Sequence, residues 1–464
     1  SLLLCNYFLT SKILGFILLI IPVSQLFVQI FNQILMRFVP TYPLPKLDYS
    51  KGIPDDAKTM VVIPTIIDSK EKIKKMFDTL EIFYLINKTD NLYFTLLGDV
   101  TSSKEEMLKI DKELSMYGEY CAEQLNRKYK KNLFYFLYRK RFFNKHENCY
   151  LGYERKRGAL FQFNQLLLKK MSKEEQDYWY FANTFRDFSL DIKYVITLDQ
   201  DNRLVLNTAL NLVGAMAHPL NRPVLNKAGT KVINGYGIMQ PRVSLDIEAT
   251  NKSLYSQIFA GIGGFDTYSA IVPNVYQDTF LEGSFIGKGI YDLKVYDQVL
   301  ADTFPDNLVL SHDLLEGNYL RCGYVCDIEL IDDFPSKFLT DTSRQHRWAR
   351  GDVQIIGWLL PFVRNKNGKK VKNPINLLGK WKIFDNIVRI FLYPMLLLVL
   401  LGAIFFGKTS PLWWILLVLL EIAVPVLLFV QSKIFYRENK KEKATVYYKH
   451  LLFGGKSLFL RSYI

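Results

Sequence analysis

Cysteine and histidine are both scarce in this chain of 464 residues, with five of each. The cysteines (Cys5, Cys121, Cys149, Cys322, Cys326) are too few for a disulfide scaffold. The one close pair, Cys322 and Cys326, has three residues between its members rather than the two of a zinc knuckle or redox motif. A reduced body facing the cytoplasm is expected. The histidines (His146, His218, His312, His346, His450) form no H-x-x-x-H pair, which argues against a zinc hydrolase and leaves carboxylates to hold any metal. There is no internal repeat and no low-complexity tract, and 49% hydrophobic residues exclude a disordered polymer. The length allows two or three domains with a substantial core. A formal charge of +14 suits nucleic acid, an anionic membrane surface or an anionic substrate. No interleaved aromatic and basic stripe is present, so no nucleic-acid partner is expected.

Three stretches are apolar enough to be expected as membrane spans. Ile13 to Met36 would reach about 36 Å as a helix, against a hydrocarbon core of about 30 Å. Its Gln25, Gln29, Asn32 and Gln33 recur near helical spacing and are expected to face protein; an interfacial amphipathic helix is the alternative. Val388 to Phe406 and Pro411 to Val430, joined by a very short loop, read as a hairpin that crosses and returns. Glu421 inside the third span must face water or a partner, either lining a polar path or touching a helix outside this chain. Arg437, Lys440, Lys441 and Lys443 follow that span, against the single cation Lys408 in the hairpin loop, which places the large intervening domain in the cytoplasm. The chain opens without Met and stops just after another hydrophobic segment, Leu451 to Leu460. It is therefore read as an excerpt of a longer membrane protein.

Between Tyr49 and Asp385 the pattern is that of an α/β domain. Thr59 to Ile67 and Leu92 to Val100 are strand-like runs on either side of an amphipathic stretch, Lys70 to Ile86, which makes a βαβ unit. Asn132 to Lys140 and Lys193 to Asp201 repeat the strand signal after polar helical stretches. A mostly parallel sheet is expected, with ligands at the carboxyl ends of its strands.

Acidic residues fall at those ends. Asp199-Gln200-Asp201 closes the strand "YVITLDQD"; a divalent cation wants such oxygen ligands, although a solvated loop has the same pattern. Asp99 in "LLGDV" can accept protons from a nucleotide's sugar or base, or simply form a turn. Lys156-Arg157-Gly158 brings cations that suit a diphosphate or a solvated helix face. Asp313 in "LVLSHDLLEG" suits a helix N-cap or a general base. "SRQHRWARGD" (Ser343 to Asp352) sets Arg344, Arg347 and Trp348 on adjoining positions of a helix, guanidinium donors for phosphate beside an indole platform for sugar. A juxtamembrane basic stretch is the alternative, and a membrane-anchored anion-binding protein is the corresponding reading without catalysis.

The series Asp99, Asp199-x-Asp201, Asp313 and R-x-x-R-W resembles the D, DxD, D and (Q/R)xxRW series of processive inverting glycosyltransferases related to family 2. More of the chain, Leu44 to Trp358, resembles the glycosyltransferase domain of cyclic β-1,2-glucan synthases, glycosyltransferase family 84. The strings "GYERKRGALFQFN", "AMAHPLNRP", "GYGIMQPRVS", "VYQDTFLEGSFIGKGIYD" and "RQHRWARGDVQ" carry this resemblance. It departs from the family's pattern where Gly98 precedes Asp99 and where Arg344 replaces Gln at the start of the last motif.

The resemblance implies a GT-A-like α/β domain over residues 48–385. A transmembrane helix and linker (1–47) would precede it, and a transmembrane hairpin (386–432) and a cytoplasmic basic segment (433–464) would follow. It implies transfer of glucose from UDP-glucose, with Mg²⁺ or Mn²⁺, to a growing β-1,2-glucan, at the cytoplasmic face of a bacterial inner membrane that the protein crosses more than once. Asp99, Lys156, Asp199, Asp201 and Arg344 would bind the donor, Asp199 and Asp201 the metal. Asp313 would be the base, with Arg347 and Trp348 flanking diphosphate and acceptor. Glu282, Gly283 and Ser284 would belong to the acceptor floor, with a structural turn as the alternative. Family members carry a further C-terminal phosphorylase-like domain, a partner absent from this chain, so cyclisation is not assigned to these residues. Another processive synthase, with a different linkage or donor sugar, stays open.

Overall fold

The structure, a computed structural model, describes residues 12–171, 179–180, 190–260, 274–309, 312–406 and 412–435. Lys408, the basic cluster Arg437 to Lys443 and the segment Leu451 to Leu460 lie outside them.

The expected βαβ unit forms. Strands β1 (Thr59–Ile67) and β2 (Leu92–Val100) pair in parallel, Thr59 opposite Leu92 and Ile67 opposite Val100, with helix α2 (Lys70–Ile86) between them. Both strands are buried along nearly their whole length, so their sequences read as continuous apolar runs rather than alternations. Ser69 starts α2 by accepting from the Lys72 amide, and Ile73, Met76, Phe77, Leu80 and Phe83 form its buried stripe. Helix α3 (Lys109–Tyr129) leads to β3 (Phe134–Arg139), parallel to β2. A Cβ at Gly118 of α3 would come within 2.2 Å of the Phe136 ring, so glycine sets how closely that helix lies on the sheet.

Helix α4 (Arg155–Leu167) and strands β4 (Trp179–Tyr180), β5 (Tyr194–Thr197) and β6 (Arg203–Leu204) follow. After helix α5 (Thr208–Ala217) come β7 (Ile238–Leu245), β8 (Gly289–Asp292) and β9 (Cys322–Asp332). The nine strands form one sheet in the order β4-β3-β2-β1-β5-β8-β7-β9-β6. The α/β class holds, but the mostly parallel sheet expected from the sequence is corrected to a mixed one. β3-β2-β1-β5 and β7-β9 are parallel, whereas β8 opposes both neighbours and the edge strands β4 and β6 are antiparallel. The chain enters β8 at the carboxyl end of β5, Gly289 opposite Thr197, so it can only run back along that strand. Four residues are too few to display the periodicity that would have revealed this reversal.

The longer helices that follow are α6 (Leu293–Leu300), α7 (Asp313–Leu320), α8 (Phe338–Gln354), α9 (Leu377–Phe406) and α10 (Leu412–Phe435), with α1 (Lys12–Phe38) at the start. Helix α9 begins well before the apolar run read from the sequence. Its first turns belong to the α/β body, where Ile383 and Ile387 are buried in one cluster with Tyr319, Leu320 and Trp358. Its later turns expose Tyr393, Leu397, Leu401, Ile404 and Phe405. Of the three expected spans, Leu377–Phe405 alone among the described residues is long and apolar enough to cross a membrane. The other two form helices α1 and α10, which pack with it through Leu18, Leu19, Val399, Ala403 and Trp414. Gln25 of α1 is buried, as its spacing suggested, and Glu421 is buried on α10.

The joint between α9 and the body is a buried ion pair. Lys382 Nζ lies 3.3 Å from Glu282 Oε1 and donates to the Gly283 carbonyl at 2.7 Å. Lys382→Met strands the buried carboxylate, which costs about 3–5 kcal/mol. Its melting temperature in detergent is therefore expected to fall by several degrees, with most of the loss recovered in Lys382→Met/Glu282→Gln. Identical melting of the wild type and both variants would show that this pair does not hold the joint.

Candidate active site

The site is built on the carboxyl edge of the sheet. β5 ends in Leu198-Asp199-Gln200-Asp201, and Asn202 pins the turn: its Oδ1 accepts from the Asp199 amide at 2.7 Å and its own amide donates to the Asp199 carbonyl at 3.1 Å. Two lysines grip Asp199. Lys156, on the first turn of α4, donates to Oδ1, and Lys288, just before β8, lies 3.2 Å from Oδ2. Lys288 also pairs at 2.6 Å with Asp332, the last residue of β9, whose other oxygen accepts from Asn202 Nδ2 at 2.8 Å. Lys288 and Asp332 were missed in the sequence. The signal was present: "IELIDD" is a strand that ends in acid, as "YVITLDQD" is, and β9 runs parallel to β7, which lies parallel to β5 across β8.

Charge balance separates the three carboxylates. Burial alone would raise the Asp199 carboxyl, but Lys156 and Lys288 outweigh it and hold the group far below the usual range. Burial works against the Lys288 ammonium in the same way, and Asp199 and Asp332 overcome it to raise its pKa. Asp201 has no ion-pair partner among the described residues. Its loss of water within the cluster, and then the charges of Asp332 and Asp199, push it up to about 6. The rim therefore carries oxygen ligands with one negative charge unmet. That unmet charge suits a divalent cation of the hard, carboxylate-binding kind at Asp201, whereas both oxygens of Asp199 are already held by lysines.

Asp313 opens α7 and meets this cluster through the loop ahead of β8. Gly287 has φ +89°, and a Cβ on it would stand 2.8 Å from Asp313 Oδ2, so only glycine lets the loop pass so close. Lys156 donates to the Gly287 carbonyl at 2.9 Å, and the charge of Asp313 contributes to raising the Lys156 pKa against its burial. One ammonium thus joins Asp199 to the loop that passes against Asp313. Behind it, His312, Asp313 and Glu316 bring their ligand-type atoms within 4.8 Å of one another. Burial and then the charge of Asp313 push Glu316 up to about 8, and the Tyr296 hydroxyl donates to its Oε1. A carboxyl that is neutral at pH 7 suits a hard cation less well than the ionised Asp199 does.

Helix α8 brings the R-x-x-R-W residues. Arg344 bonds Asp341 at 2.9 Å and lies over the rings of Trp348 at 4.8 Å and Phe334 at 5.4 Å. Burial lowers its pKa, with the charges of Asp341, Asp332 and Asp201 pulling the other way. Trp348 is 46% exposed and Arg347 is exposed on the same helix, an open aromatic and cationic surface beside the carboxylates.

Two groups of sequence-predicted residues sit apart from this cluster. Asp99 is buried and clamped by Arg139, which donates to its two oxygens at 3.2 and 2.7 Å and also to the carbonyls of Tyr153 and Arg155. That knot fixes the entry to α4, and hence Lys156. Glu282 and Gly283 lie at the Lys382 joint, where the Gly283 amide donates to the Cys322 carbonyl at the opposite end of β9 from Asp332. Ser284, half-buried, begins the stretch that leads from there to Gly287 and Lys288.

No protein-family model matches the chain. The mixed α/β sheet thus gathers carboxylates, lysines and an Arg/Trp helix at one edge. The chain is 36% identical over 435 residues to cyclic beta-(1,2)-glucan synthase NdvB of Rhizobium meliloti (strain 1021), a match that takes in 92% of this chain. That similarity supports a glycosyltransferase domain of such a synthase. The chain spans 15% of that relative's length.

If Asp201 is the carboxyl that meets the cation, Mg²⁺ added at pH 6 displaces a proton from it, whereas at pH 8 it is already ionised and little is released. Calorimetry in buffers of different ionisation enthalpy measures the difference. Equal proton release at both pH values would remove Asp201 from the cation site.

Proposed function

We propose that the chain is the synthase part of a cyclic β-1,2-glucan synthase, an inverting glycosyltransferase that moves glucose from UDP-glucose to the growing β-1,2-glucan. The observation that supports this reading is that the single ammonium of Lys156 bonds both Asp199 and the Gly287 carbonyl, in the loop that passes against Asp313. An anionic leaving group and a proton acceptor are needed within one substrate's reach, and this linkage brings the two kinds of group together.

In this reading the donor diphosphate lies against Asp199 and Asp201, where a bound divalent cation supplies neutralisation of the leaving charge. Lys156, Lys288 and Arg344 add fixed positive charge that need not reorganise as UDP departs. Asp313 accepts the proton of the acceptor 2-hydroxyl as that oxygen attacks the anomeric carbon from the face opposite the diphosphate. One displacement turns an α-linked donor into a β-linked product, with no covalent sugar-enzyme intermediate. Trp348 offers its exposed indole face to the acceptor sugar, and Arg347 stands beside it. Asp99 acts through Arg139, positioning α4. The apolar outer faces of α9 and its partners support a reaction beside a membrane, which this reading takes to be the cytoplasmic side of a bacterial inner membrane crossed more than once.

Incorporation of radiolabelled UDP-glucose by membranes holding the full chain tests the reading. Synthesis is expected to stop with chelator, and methylation analysis of the product is expected to return 2-linked glucose. Asp201→Asn is expected to lower turnover by about 100-fold or more while the fold survives; near-normal synthesis by that variant would defeat the metal assignment. Asp313→Asn is expected to keep UDP-glucose binding and lose transfer by about 10²–10⁴-fold, the range of a positioned general base. Weakened UDP binding with intact chemistry would show that Asp313 is not the base.

A further inference from the structure

A cleft of about 680 Å³ opens beside the start of α9, away from the strand-end carboxylates, with Lys231, Arg321, Lys372, Asn376 and Glu282 among its lining residues. Its charge is one-sided. Three cations line it, while its carboxylate, Glu282, is already paired with Lys382.

Lys231 is only 7% exposed, and among the described residues its Nζ has neither a hydrogen-bond acceptor nor an ion-pair partner. Burial lowers its pKa and the charge of Glu282, which is shared with Lys382, offsets only part of that, so an anion in the cleft would stabilise the ammonium. Arg321 is set in position from below: its guanidinium lies 5.0 Å over the Tyr236 ring and donates to the Gly235 carbonyl at 2.9 Å, with no carboxylate partner among the described residues. Asn376 caps α9, accepting from the Gly379 amide at 2.8 Å, so the positive end of that helix dipole adds to the same field.

We propose that this cleft binds a phosphate group, with Lys231 and Arg321 as its principal donors and Lys372 at its mouth. Phosphate offers several acceptor oxygens to an ammonium and a guanidinium at once, and it brings the negative charge that the cleft lacks. The favoured source is the headgroup of an anionic phospholipid. Leu377, Trp381 and Phe384 lie four and three residues apart on one side of the first turns of α9 and are 84%, 40% and 46% exposed. An exposed tryptophan in such a stripe, at the start of the helix able to cross a membrane, marks the depth of lipid headgroups. A soluble phosphate ester has the same chemistry and is the other possible source. The site is independent of the transfer reaction and does not rest on it.

The full chain in phosphatidylcholine nanodiscs, with or without phosphatidylglycerol, and native mass spectrometry of the released protein test this. The wild type is expected to retain phosphatidylglycerol. Lys231→Met and Arg321→Gln are each expected to weaken retention by about tenfold, the loss of one charge-assisted contact, while the surface control Lys128→Met leaves it unchanged. Should Lys231→Met fail to fold, acylation of Lys231 in the wild type decides: phosphatidylglycerol is expected to protect it, and oleate, an anion without phosphate, is not. Protection by glycerol 3-phosphate in phosphatidylcholine discs would support the phosphate site with a soluble source. Retention unchanged in the folded variants, equal protection by oleate, or no protection by any of these probes would overturn the proposal.

Discussion

Everything at the sheet edge depends on how Asp199 is neutralised. Two ammonium groups from different elements, Lys156 on α4 and Lys288 ahead of β8, converge on one carboxylate. Each is tied to a further group: Lys156 to the Gly287 carbonyl, and Lys288 to Asp332. The three ion pairs therefore bind four separate stretches of chain into one rim. Because the lysines satisfy Asp199 and Asp332, the surplus charge is left on Asp201, the carboxylate most open to an incoming cation. Loss of either lysine would disturb both the architecture and the electrostatics.

The elements legible in the sequence were those with long, uniform signals. β1, α2 and β2 appear with the boundaries read from the apolar runs and the intervening stripe. The Asp199-x-Asp201 turn, Asp313 and the Arg344 helix also lie where strand ends and helix starts placed them. Illegible were features created by tertiary direction. The reversal at β8 depends on where a loop delivers the chain, and the start of α9 was hidden because Lys380, Lys382 and Asp385 break the apolar pattern while their neighbours remain helical. Lys288 reads as one more surface lysine until β8 folds back beside Asp199.

Asp99 shows a different limit. A strand-end carboxylate in the sequence has the same form whether it binds a ligand or holds the protein together. Here Asp99 is met by Arg139, forty residues on, whose planar donor array serves Asp99, Gln162 and two carbonyls together. The residue stays essential to the geometry of the rim, since it anchors the turn from which Lys156 projects.

Helix α9 runs as one helix from the core of the α/β body into the apolar bundle, with Pro394 inside it as a point where it can bend. In a bilayer, the turns on the body side of that proline cannot tilt without the sheet. A change in lipid thickness that leans those turns would lean the whole sheet with them, so the angle at which the strand-end carboxylates address the membrane plane would become a property of the lipid as much as of the protein.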